Sequence, residues 1–173
     1  MEIPEPELFR RHAAYHASGH VIADLYFGFR FRFVTIRADE SVDDDGEICG
    51  NARGRARDLA VVQLAGIVAS AKMRGLDPWE KPDPFDDNNA DRAAARNFID
   101  NWAGFLSRTY GESSLKTQLQ DEIEKKTRLL VDQNWKPIEV IAGALLERET
   151  LSYDDVIRIL RDQCPDFIIG EKP

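Results

Sequence analysis

The segment "RARDLAVVQLAGIVASAKMRG", residues 55–75, constrains the fold most. Apolar residues surround most of it, so it reads as a largely buried helix rather than a surface helix with one apolar stripe. Gly75 supplies a stop. The whole chain, 173 residues with 43% hydrophobic residues, is long enough for one domain with a sizeable core.

The remaining segments supply the cover. A first helix is expected from about Glu7 to Phe27, opened by Pro6 and closed by Gly28 in a left-handed cap. In "FRFRFVTIRA", Phe29, Phe31 and Phe33 alternate with Arg30 and Arg32, which is strand period with one apolar face. "DESVDDDG" is an acidic turn, and "GEICG" is a short strand that can pair with the first around it. The turn lacks the spacing of a calcium loop and reads as solvated. "LDPWEKPDPFDDNN" has three prolines and four aspartates and reads as a loop between helices. Asp91 opens the next helix, "DRAAARNFIDNWAGFLSR", where an acidic residue suits the helix dipole. Three more helices follow: the amphipathic "SSLKTQLQDEIEKKTRLLVDQN", then "KPIEVIAGALLERE" opened by Pro137, then "SYDDVIRILRDQ". Ser152 is the natural N-cap of the last, with Asp155 at the capping-box position. Trp79, Trp102 and Trp135 read as core or loop anchors. The expected fold is mainly α with a small β-sheet near the N-terminus.

Charge and composition exclude several functions. The net charge of −8 argues against bulk nucleic-acid binding and against docking on anionic membranes. No apolar run approaches the roughly 18 residues of a spanning helix. "MEIPEPELFRR" lacks the apolar core of a signal peptide. Cys49 and Cys164 form no C-x-x-C, so a reduced, cytoplasmic setting is expected.

His12, His16 and His20 are spaced i, i+4 and i+8 in the first helix. Four residues turn a helix by about 400°, so neighbours stack on one face. Two neutral imidazoles so placed can share a Zn²⁺ at about 2.0–2.1 Å. His12 and His20 stand roughly 12 Å apart along the axis, too far for one ion. One adjacent pair would therefore need further ligands from elsewhere. Gly19 lies inside this helix, where glycine costs about 1 kcal/mol relative to alanine. That suggests close approach of another element or a ligand.

"AYHASGH" resembles "AYHEAGH", the zinc-binding helix of the FtsH-type metallopeptidases. The similarity continues in order from about residue 11 to 161. "FVTIRA" and "GEICG" resemble the strand pair after that helix, and "LAGIVASA" resembles "LAGRAAEE". "NNADRAAARNFI" resembles "ASNDLERATELA", and "ALLERETLSYDDVIRIL" resembles "ALLEKETLDGEEIKRIL". The resemblance implies a single helical zinc-metallopeptidase domain over residues 1–173. Its parts would be a zinc helix and small sheet (7–50), a buried helix, loop and third-ligand helix (55–109), and C-terminal helices (112–163). His16 and His20 fall on the zinc-binding histidines. Asp91 falls on the aspartate that completes the ligand set, with Asp86 and Asp87 as nearby competitors in the loop. His12 matches no ligand and reads as a surface residue or one behind the ligands. Glu47, Ile48, Cys49 and Gly50 fall on the strand that lines the cleft and can pair with a peptide backbone.

Three departures matter. Ser70 and Ala71 stand where the family carries a glutamate pair. No "GxxxxGK[ST]" and no spanning segment occur, so the expectation is a peptidase domain without its ATPase or membrane anchor. Ala17 stands where the family carries its general-base glutamate. That glutamate takes a proton from a zinc-activated water and passes it to the leaving amine. Alanine cannot, so zinc binding should survive while hydrolysis falls by at least about 10²–10⁴. The sequence therefore reads as a zinc metalloendopeptidase with its base exchanged for alanine. The alternative is a natural pseudopeptidase that binds peptides or regulates. Implied partners are a peptide or unfolded protein, a separate ATPase or adaptor, and further copies of the chain in a homo-oligomer. Neither nucleic acid nor membrane is implied.

Overall fold

The computed structural model describes residues 5–37, 52–79, 90–110 and 115–170. Glu47, Ile48, Cys49 and Gly50 lie outside these, as do Asp86, Asp87 and the acidic turn. Among the described residues there are six helices and two short strands: α1 (Glu5–Tyr26), β1 (Phe33–Thr35), α2 (Ala52–Arg74), α3 (Ala90–Tyr110), α4 (Leu115–Gln133), α5 (Trp135–Arg148), β2 (Thr150–Ser152) and α6 (Tyr153–Gln163). The chain is mainly helical with a two-stranded antiparallel sheet.

Helix α2 occupies the centre, packed against α1, α3 and α4. From Ala60 to Ala71 every residue except Gln63 is buried, as its apolar circumference requires. The other helices bury one face each. In α4 this is Leu119, Ile123, Thr127, Leu130 and Val131. In α5 it is Pro137, Ile138, Ile141, Ala142 and Leu145. The i, i+3, i+4 spacing of both sets is the amphipathic pattern of their sequences.

Helix ends follow local chemistry. Gly28 (φ 74°) closes α1: its N–H bonds to Leu25 O (3.1 Å), and the Phe29 N–H bonds to Asp24 O (2.8 Å). This paired arrangement needs a left-handed residue, which glycine adopts without a Cβ penalty. Gly75 ends α2 by the same two bonds, to Lys72 O and Ala71 O. Ser152 caps α6, and the full capping box with Asp155 is present.

Glycine also sets the approach of α1 to α2. A Cβ on Gly19 would lie 2.4 Å from the Ala65 carbonyl oxygen and 2.8 Å from the Ala69 Cβ. The close approach inferred from a glycine within a helix is therefore that of α2.

The expected local hairpin partner, residues 46–50, lies outside the described residues; among those described, the sheet is long-range. β1 pairs with β2, far along the chain, in the register Phe33↔Ser152, Val34↔Leu151 and Thr35↔Thr150. The Thr35 and Thr150 hydroxyls meet at 2.8 Å. So the sheet joins an N-terminal strand to the segment before the last helix, rather than lying wholly near the N-terminus. The alternation before β1 holds: Arg30 and Arg32 are exposed, Phe31 is buried, and Phe29 and Phe33 are half-buried.

Candidate metal centre

Three side chains from two helices converge beside α2. His16 and His20 are one turn apart on α1, and Asp91 stands in the first turn of α3. His16 Nε2 lies 2.8 Å from Asp91 Oδ2, His20 Nε2 lies 3.0 Å from His16 Nε2, and His20 Nε2 lies 3.3 Å from Asp91 Oδ2. Among the described residues this is the one group of three that could hold a metal ion. Their side chains remain 16–25% exposed, so solvent reaches the cluster.

The backbone of α2 fixes the proton on His20. Its Nδ1 lies 2.8 Å from the Val62 carbonyl oxygen. A carbonyl can only accept, so this bond needs the hydrogen on Nδ1. Neutral His20 then points the Nε2 lone pair at His16 and Asp91. Hydrogen bonds of this kind orient metal-bound imidazoles and set their tautomer. His20 Nε2 and the Asp91 carboxylate are then two acceptors 3.3 Å apart. An N–H from His16 Nε2, which lies within reach of both, or a cation between them makes that contact favourable.

The titration behaviour agrees. Burial pulls the His20 pKa down, but the bond to Asp91, the Asp91 charge, the Val62 carbonyl and Asp24 outweigh it, so the net shift is upward. Burial pushes the Asp91 carboxyl up, yet hydrogen bonds and charge from His16 and His20 hold it well below the carboxylate range. Both shifts run in the direction that favours positive charge beside the Asp91 carboxylate.

Do the residues fit such an ion? A tetrahedral site with bonds of about 2.0–2.1 Å separates its ligand atoms by about 3.3 Å. The observed 2.8, 3.0 and 3.3 Å need only a few tenths of an ångström of spreading. Two imidazole nitrogens, one carboxylate oxygen and an open side toward solvent match the donor set of catalytic zinc sites. Those three residues would hold the ion.

Glycine makes room for the cluster. A Cβ on Gly66 of α2 would lie 2.4 Å from His20 Nε2 and 2.9 Å from the His16 carbonyl oxygen. Sequence reasoning missed Gly66, although the signal used for Gly19, a glycine inside a helix, was equally present.

The other expected positions fall as follows. Ala17 is nearly buried, at 7% exposure, and belongs to the hydrophobic core. Ser70 and Ala71 are buried, and the Ser70 hydroxyl bonds back to Ile67 O at 3.1 Å. His12 is not a surface residue: it is buried, and its ring stacks on His16 with centroids 5.9 Å apart. His16 Nδ1 is buried and has no hydrogen-bond partner among the described residues, whereas His20 Nδ1 has the Val62 carbonyl.

Among the described residues, no helix is long and apolar enough to cross a membrane. No protein-family model matches the chain, and comparison with curated proteins gives no match.

Proposed function

We propose that this chain is a zinc-binding domain of the FtsH metallopeptidase type, lacking the base that hydrolysis requires. The convergence of His16, His20 and Asp91, with His20 locked to the Val62 carbonyl, is the observation that carries this reading. When bound, such an ion acidifies a water and polarises a carbonyl.

The chain's own residues have distinct parts. His16 and His20 offer neutral nitrogen donors, and Val62 fixes which nitrogen His20 offers. Asp91 supplies the negative charge, steadied by the positive end of α3. Position 17 follows the first ligand and carries a methyl group, which can neither take nor give a proton. Peptide is held without efficient cleavage; Glu47–Gly50, expected from the sequence to take part, lie outside the described residues. Whether Ala17 stands for an exchanged glutamate or marks a natural peptide-binding or regulatory module, the chemistry of this chain is the same.

Two measurements test this. Metal analysis of the purified protein should find one zinc per chain, lost in His16→Ala and Asp91→Ala. Two histidines and a carboxylate also serve iron(II), so recovery of iron instead would replace zinc in the assignment. Ala17→Glu should then raise peptide hydrolysis by about 10²–10⁴. Zinc-loaded Ala17→Glu that cuts no peptide defeats the peptidase reading and leaves the binding module.

A further inference from the structure

We propose that Arg92 is a positioning residue for the metal centre, holding Asp91 at the distance the two histidines need. The proposal rests on the metal-binding reading above. Asp91 is the only one of the three ligands that does not come from α1, and it stands in the first turn of α3. First turns fray unless something ties them down. The ligand atoms tolerate little fraying, because a metal site needs its distances within about 0.2 Å.

Arg92 is the tie. It follows Asp91 at about 100° around the helix and so faces a different neighbour. Its Nη2 donates to the Pro78 carbonyl at 2.8 Å, and its guanidinium carbon lies 5.7 Å from the centre of the Trp79 ring. Pro78 and Trp79 belong to the segment that leaves α2, and that segment is itself fixed. The Trp79 backbone N–H donates to Asp77 Oδ1 at 2.8 Å. Asp77 in turn receives Arg128 of α4 at 3.2 and 3.3 Å. The first turn of α3 is thus gripped on two sides. Asp91 reaches α1 on one, and Arg92 grips the exit of α2, and through it α4, on the other.

The choice of arginine is chemical. A planar guanidinium can donate in its plane while presenting its face to an indole. A lysine ammonium at the same place can donate to the carbonyl but cannot stack. The grip therefore has two separable parts.

The test uses the full chain. Zinc affinity is measured by competition with a chromophoric chelator for the parent, Arg92→Ala, Arg92→Lys and Trp79→Leu. The visible absorption of the Co²⁺-loaded proteins reports coordination geometry, and urea unfolding of the apo proteins reports stability. Arg92→Ala should weaken zinc about 10–100-fold, the usual effect of losing a group behind a ligand. Its cobalt absorption should weaken while the apo unfolding midpoint stays close to that of the parent. Arg92→Lys should recover part of the affinity, and Trp79→Leu should lose a smaller part. Parent-like zinc affinity in Arg92→Ala overturns the proposal and leaves the metal centre standing. A loss of affinity that merely tracks a loss of apo stability, without rescue by lysine, also overturns it. A parent protein that binds neither zinc nor cobalt removes the metal centre itself, and this proposal with it.

Discussion

The same small change, glycine to alanine, should have opposite signs at different helical positions. Gly143 of α5 has nothing within 4 Å of where a Cβ would sit. Gly143→Ala should therefore show the bare helix-propensity gain of about 1 kcal/mol. Gly66 has the same intrinsic gain but no space. Its Cβ would lie 2.4 Å from His20 Nε2 and 2.7 Å from Cδ2, about 1 Å inside an ordinary contact of ~3.5 Å. Relief comes in two ways. The ring can rotate and abandon its bond to Val62, leaving a buried donor at a cost of about 1–3 kcal/mol. Otherwise α1 and α2 must separate, and overpacking costs about 1–3 kcal/mol. Set against the propensity gain, the apo protein should lose about 1 kcal/mol, or about 2–4 °C in unfolding temperature for a chain of this size. Zinc should weaken by ~100-fold, the upper end of the usual loss for a disturbed neighbour, because here a ligand moves. Urea unfolding with and without zinc, plus calorimetric zinc titration, measures both. Gly66→Ala that is stabilised like Gly143→Ala and binds zinc like the parent would refute the placement of His20 against α2. Gly19→Ala should be the worst of the three, because the Ala65 carbonyl it meets is backbone and cannot rotate aside.

Other outcomes follow from the same geometry. The raised pKa of His20 contributes apo stability that is complete below its ordinary value of 6.5 and lost as pH rises through the raised value. The lowered pKa of Asp91 contributes stability present above its ordinary 3.8 and lost only in strong acid. Zinc needs His20 deprotonated, so its affinity should climb through the window in which the apo protein weakens. Unfolding midpoints at pH 6 and pH 8, with and without zinc, should move in opposite directions; parallel movement would count against a shared site. At free zinc about 100-fold above Kd, the bound protein should gain about 2.7 kcal/mol, a gain absent in Asp91→Ala. Ser152→Ala should cost about 1 kcal/mol through the lost cap. It should also let the Asp155 carboxyl titrate at higher pH, since the Ser152 hydroxyl is the main cause of its depression. Carboxyl chemical shifts followed through an acid titration would show this.

The helices were legible because their signals are local: apolar period, a glycine stop, a serine cap. Gly28, Gly75 and Ser152 each do at one point in the chain what their residue type does in any chain. β2 carries no such signal. Three residues ending on the Ser152 N-cap make a strand only because β1 lies alongside them. His16 and His20 stood out by spacing, and the spacing also showed that another element had to complete a site. Periodicity could not say which. Asp91 lies 75 residues from His16, and it was singled out by resemblance. The burial of His12 was equally invisible, because helical spacing gives a face but not what covers it. Gly66 and Arg92 act through contacts between elements, which a linear pattern does not display.

The pairing of β1 with β2 has a consequence for how the protein is made. Thr35 and Thr150 are 115 residues apart. On a ribosome, the histidine helix and β1 emerge long before β2 exists. Asp91 appears in between, so the ligands can be assembled before the sheet closes. On the metal-binding reading proposed above, capture of an ion by α1 and α3 would hold these helices against α2 while α4 and α5 are still being synthesised. The ion would then act first as a folding template on a growing chain.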